Sequence, residues 1–312
     1  MRAPAATSSF TEPVVQTRPQ IGLCLFDPAV LKAATQVVVA ASGGIEVFPG
    51  TSLSEVLAAS TPAQLRLLVV DIDLALPGAL EALTSVVPNV AIVLVSDAVD
   101  EPALETAVRI PGVVGFVARS AGRLRTWELG YLVRRILWPE QPIPGAHELL
   151  VWGASTIVFR PRTQARKDQV VTAIDLAASW YGVSEGTALI VANAARELLT
   201  TLVTDPGFDK LPDELVPSIR LTVDPNHVAL DLVDPFGKLT RPELFRGLLR
   251  GRWGPTADTT DVEIALCELL RAGSMLRIEG GPGREVVVSW LLDRGSRARR
   301  SAARSVFFVG CE

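Results

Sequence analysis

Asp71 and Asp73 stand two residues apart at the end of the apolar run Leu67–Val70, and Pro77-Gly78 cuts the segment off. A short Val/Leu-rich run bounded by turn residues reads as a central strand of a parallel sheet, and alternation along the strand puts both carboxylates on one face. The C-terminal edge of such a sheet is where α/β proteins place their chemistry, so these acids are the first candidates for a site. A second group lies downstream: Glu197 inside a helical stretch, and Asp234 and Gly237 just after a strand-like run. With only two histidines, His147 and His227, both in turn or linker contexts, no Ser/His/Asp or Cys/His triad can be assembled. His227, in Asp224-Pro225-Asn226-His227, is expected as a solvated turn residue.

The 312 residues suffice for two domains, each with its own core. Hydrophobic residues make up 48% of the chain and charged ones 21%. No apolar run reaches the roughly 18–20 uncharged residues of a membrane span, and Met1–Pro19 lacks the apolar core of a secretory signal, so the expected location is the cytoplasm. Cys24, Cys267 and Cys311 are scattered singly, without zinc-ligand spacing, and read as small core hydrophobes. The net charge of −4 argues against nucleic acid as a partner. The run Arg294–Arg304, with its five arginines, reads as a solvated linker before the last strand or as an electrostatic docking patch.

The elements that must position these residues follow a regular order. Residues 1–19 read as a disordered tail. Strands are expected at Ile21–Phe26, Ile45–Phe48, Leu67–Asp73, Val90–Val95 and Val113–Ala118. They alternate with helices at Pro28–Ser42, Leu53–Ser60, Leu80–Val87, Glu101–Arg109 and Thr126–Trp138. This alternation predicts an open, doubly wound parallel sheet of the flavodoxin-like class over residues 20–138. The Pro-rich stretch at 139–147 predicts a linker, and residues 148–312 a second domain.

The first of these domains resembles the receiver domain of response regulators. Asp73 with Pro77-Gly78 matches the phosphoacceptor turn, and Ser96, at the end of VAIVLVS, matches the hydroxyl position. Asp27 alone stands where receivers carry an acidic pair for Mg²⁺, and Arg119 with Ser120 replaces their Lys-Pro. The resemblance therefore implies a pseudo-receiver whose pocket holds Asp27, Asp71, Ser96 and Arg119, with Asp73 a phosphoacceptor that has lost its metal pair or a plain sheet-edge acid. Asp71 is the rival carboxylate and could supply a missing ligand.

In the second domain, strand material is expected at Glu148–Phe159 and helices at Gln164–Tyr181, at Ser184–Thr204 with Ser184 as N-cap, and at Asp261–Gly273. Hairpins join Ile219–Val223 to Val228–Val233, and Leu276–Glu279 to Glu285–Leu292 through Gly280–Gly283, before a closing strand at Ser305–Val309. The order resembles the GHKL ATPase fold of histidine kinases and anti-sigma-factor kinases, an α/β sandwich. Glu197 matches that family's general base, but Thr201 takes the place of its Mg²⁺-binding Asn, and Asn193, one turn away, is not equivalent. Asp234 matches the adenine-binding acid, Gly237 is displaced from the family's glycine positions, and Gly254 stands alone where a glycine-rich lid is expected. Asp234 as a turn cap and Glu197 as a surface helix residue are the plainer readings. Trp127, Trp138 and Trp152 are expected to pack the domain junction.

Both resemblances imply loss of catalytic residues. The function expected is a non-catalytic regulator or adaptor in a bacterial two-component-like pathway. It would bind other signalling proteins, with a homodimer compatible, and need no cofactor. The alternative is an active, receiver-controlled kinase or ATPase of the anti-sigma-factor type that binds ATP with Mg²⁺, and a weaker third reading is a sensor for another small ligand.

Overall fold

Short Val/Leu runs fold as buried strands because each is apolar on both faces and is closed by a turn residue or helix cap. The computed structural model describes residues 18–120, 123–140, 150, 154–161, 164–203, 212, 215–237, 239–252, 258–280, 285–294 and 304–309. Within them β1 (Gln20–Cys24), β2 (Glu46–Gly50), β3 (Leu65–Asp71), β4 (Ala91–Ser96) and β5 (Val113–Ser120) alternate with α1 (Pro28–Ala41), α2 (Leu53–Ala59), α3 (Pro77–Val86) and α4 (Glu101–Arg109). A short strand β6 (Arg123–Leu124) and α5 (Thr126–Leu137) end this half. Asp27, Ser52 and Asp100 start α1, α2 and α4 by accepting first-turn backbone N–H groups. The five strands pair in parallel in the order β2-β1-β3-β4-β5.

The second half contains β7 (Ser155–Phe159), α6 (Gln164–Trp180), α7 (Glu185–Glu197), β8 (Ser218–Val223), β9 (His227–Asp234), α8 (Arg241–Arg252), α9 (Asp261–Ala272), β10 (Met275–Glu279), β11 (Val286–Asp293) and β12 (Ser305–Val309). The long helix expected over Ser184–Thr204 stops at Glu197 and continues as one wider π turn, Leu198–Leu202. Ser184 makes no side-chain cap to the backbone; its hydroxyl meets that of Thr187 at 2.8 Å. No element was expected at Arg241–Arg252, which forms α8. The tail at 1–17, most of the linker, the hairpin turn at 281–284, residues 295–303, His147, Trp152, Gly254 and Cys311 lie outside the described residues.

The largest departure from the expected pair of separate domains is the sheet. The described strands form one mixed sheet, β2-β1-β3-β4-β5-β12-β10-β11-β9-β8-β7, with β6 attached to β5. The last strand, β12, does not close the rear hairpin at an edge. It runs parallel to β10 and antiparallel to β5, welding the halves. Helices α1 and α5 pack on one face over Leu23, Val69, Val93 and Val117. On the other face a single core joins residues of α2–α4 to residues of α6–α9, and α4 lies against α8. No helix among the described residues is long and apolar enough to cross a membrane.

Candidate functional site

Strand order reverses between β1 and β3, and the region outside the C-terminal ends of the strands at such a point is the usual ligand position on an open sheet. Asp71 is the last residue of β3 and is fully buried there. Its Oδ2 lies 2.8 Å from Arg119 Nη1 at the end of β5 and accepts the Phe26 N–H at 3.4 Å. Arg119 also grips Asp97, just past β4, through Nε at 2.9 Å and Nη2 at 3.2 Å. Burial raises the Asp71 pKa, against the opposing pull of Arg119 and the Phe26 N–H. The bond to Asp97 and the charge of Asp71 outweigh desolvation and raise Arg119. Cys24, at the end of β1, is pushed up to about 11 by burial and then by the charge of Asp71.

The other expected members of this pocket are placed differently. Asp73 is exposed on a 3-10 turn, Ile72–Leu74. Asp27 spends its Oδ1 on the N–H groups of Ala29 and Val30, at 2.7 and 3.2 Å. The Ser96 hydroxyl donates to Ala98 O at 2.5 Å and accepts the Ala98 N–H at 3.2 Å, so it fastens its own turn. Asp97 escaped notice in the sequence, although it follows the Ser96 that ends β4. These residues do not fit a magnesium ion, because a guanidinium already faces the one deeply buried acid and Asp27 is committed as a helix cap.

The residues expected around a nucleotide are not gathered either. Asp234 Oδ1 accepts the Phe236 N–H at 2.9 Å, an Asx turn closing β9. The face of Gly237 that would cradle a phosphate is filled: a Cβ there would stand 2.6 Å from Val286 Cγ2. Lys167 of α6 is buried, its pKa lowered by desolvation against the attraction of Asp234, and it donates to Val203 O at 3.4 Å. Glu197 is half-buried at the end of α7 and Asn193 is exposed beside Arg196. Of the four residues, Thr201 alone lines a cleft of about 430 Å³, formed where the π turn meets α8 and α9. The donor set does not fit ATP bound through Asp234 and Gly237.

A third polar group fills the seam between the halves. Glu128 of α5 is fully buried, accepts the Ser305 hydroxyl of β12, and lies 3.1 Å from Arg125 Nη1; burial pushes its pKa up to about 7. Arg125 reaches on to Asp293 at 3.2 Å. His227 is not a solvated turn residue: it starts β9, with Nδ1 3.2 Å from Asp224 Oδ2 and Nε2 3.5 Å from Asp293 Oδ1. Tyr131 donates to Glu279, which also pairs with Arg135 at 3.3 Å and Arg277 at 3.4 Å. Trp127 is partly exposed at the start of α5, and Trp138 packs near Gly43 after α1.

No protein-family model matches the chain, and comparison with curated proteins finds no match.

Proposed function

We propose that the chain is a non-catalytic signalling regulator that acts by protein–protein contact, with a pseudo-receiver half of flavodoxin-like order joined to a half related to the GHKL ATPases. The observation that carries the reading is Arg119 bridging Asp71 and Asp97. A phosphoacceptor needs an open carboxylate and a cation to neutralise the developing charge. Asp73 is open, but Asp71 beside it is buried against an internal arginine and Asp27 is spent on a helix cap, which leaves neither acid free to share a metal ion with it. Exposed Phe26, whose N–H donates to Asp71, and Asp97, held by Arg119, flank the bridge, and the exposed Asp73 and Leu76 follow β3 in the chain, a set of apolar and acidic side chains suited to docking. The rival reading, a receiver-controlled ATPase, requires Asp234 and Gly237 to face a nucleotide, and the Asx turn and the Val286 contact speak against it.

The test has two arms. Incubation with acetyl phosphate and Mg²⁺, followed by intact mass, is expected to give no phosphoprotein, and an ATPase assay no turnover above a Glu197→Gln control. Photocrosslinkers placed at positions 26 and 76 in cells are expected to capture a protein that the same probe at Glu81 does not. Phosphoryl transfer to Asp71 or Asp73, or hydrolysis dependent on Glu197, would overturn the proposal.

A further inference from the structure

The cleft of about 430 Å³ at the end of α7 falls in the volume range of small-molecule sites, roughly 300–1,000 Å³. Of the residues that the GHKL resemblance placed around a nucleotide, Thr201 lines it and Asp234 and Gly237 do not. Its floor is apolar: Leu202, Leu239 and Val262 are half-buried side chains packed on the main core. Four charged side chains stand on its walls, and three are engaged. Glu243 Oε2 accepts the N–H and hydroxyl of Thr240 at 2.7 and 2.8 Å, closing the start of α8. Glu263 Oε2 accepts the Thr260 N–H at 2.9 Å in the capping box of α9, and its Oε1 pairs with Arg250 at 3.0 Å.

Arg246 is the exception. Its Nε donates to Pro242 O at 3.1 Å, and among the described residues both of its Nη groups are without a partner. A guanidinium fork free on one edge, above an apolar floor, matches a planar carboxylate carried on a hydrophobic body. The first turn of α9, on the same wall, is already closed by the Thr260–Glu263 capping box and carries Asp261, so the anion would be held by Arg246 alone. We infer that this cleft binds an apolar monocarboxylate, an aliphatic or aromatic acid, through Arg246. The cleft shares no lining residue with the surroundings of Asp71, so ligand binding and partner docking can succeed or fail independently.

Calorimetric titration with decanoate and with naphthoate tests this, using decanol, naphthamide and ATP as controls. Saturable binding of at least one acid is expected, with its uncharged counterpart weaker by roughly tenfold or more, as loss of a charge-assisted hydrogen bond implies. Arg246→Gln should weaken the acid by a similar factor and Arg246→Lys by less. Thr201→Trp, which fills the cleft without changing charge, should abolish binding, provided its urea midpoint stays near that of the parent. Silence from both acids at millimolar concentration, binding indifferent to Arg246, or binding in which ATP competes more tightly than either acid would each overturn the inference.

Discussion

Arg241, the first residue of α8, donates through Nη2 to the Ile110 carbonyl at 2.6 Å, so a side chain from the second half caps the C-terminus of α4 in the first. The same guanidinium takes Ala107 O at 2.5 Å and Val113 O at 2.6 Å, while Arg241 itself is buried. Carbonyls at a helix end need partners when water is excluded. Arg241→Ala strips all three at once, and a loss of about 3 kcal/mol is expected. Urea unfolding monitored by circular dichroism checks it; a change under about 1 kcal/mol would show that other donors replace the guanidinium.

The bridge from Arg119 to Asp71 predicts unequal costs for its two ends. Arg119→Ala leaves a buried carboxylate with the Phe26 N–H as its remaining described donor, and about 3 kcal/mol of stability should go. Asp71→Asn removes the buried charge while Arg119 keeps Asp97, so about 1 kcal/mol is expected. Chemical denaturation of both variants orders them, and the reverse order would mean that the Asp71 charge is balanced by something other than Arg119.

Much of the first half was legible because its signals are local. Apart from the half-exposed edge strand β2, the strands β1 to β5 are short, largely apolar runs closed by a turn residue, and the helices between them carry caps such as Asp27 and Asp100. The seam was not legible, since β12 meets β5 through Gly115 and Phe307, residues far apart in the chain that carry no mark of their pairing. Helix α8 is poor in apolar residues, yet its start was written in Thr240 and Glu243, a reciprocal cap at three-residue spacing. At the candidate site the sequence displayed the acids but not their partners. Whether Asp71 or Asp73 is buried depends on where β3 ends, and boundaries of that kind are set by packing rather than by residue type.

Glu128 predicts how stability varies with pH. Its folded-state pKa is pushed up to about 7, so between the ordinary glutamate range and neutrality the folded chain holds a proton that the unfolded chain releases. The proton's contribution is complete at low pH and is lost as pH rises through about 7, giving a fall of at most roughly 3 kcal/mol. Arg125, Asp293 and Ser305 surround the carboxyl, and Arg125 limits the fall. Urea midpoints measured from about pH 5 to 8 should decline for the parent and flatten for Glu128→Gln; a parent profile that rises over this window would contradict the assignment.

Gly115 predicts how far the two halves unfold as one. A Cβ on Gly115 would stand 2.9 Å from the Phe307 Cα and closer still to the Val306 carbonyl, both backbone atoms of β12, so an alanine side chain must push the strands apart. The β5–β12 register is short, and the Ala118 N–H to Ser305 hydroxyl bond at 2.9 Å depends on the same spacing. Gly115→Ala is therefore expected to cost about 3 kcal/mol and to split one cooperative unfolding transition into two in calorimetry. Gly78→Ala, in α3, meets nothing within 4 Å and should be neutral or stabilising by up to about 1 kcal/mol. A single transition in the Gly115 variant would mean that α4, α8 and Arg241, rather than the strand seam, couple the two halves.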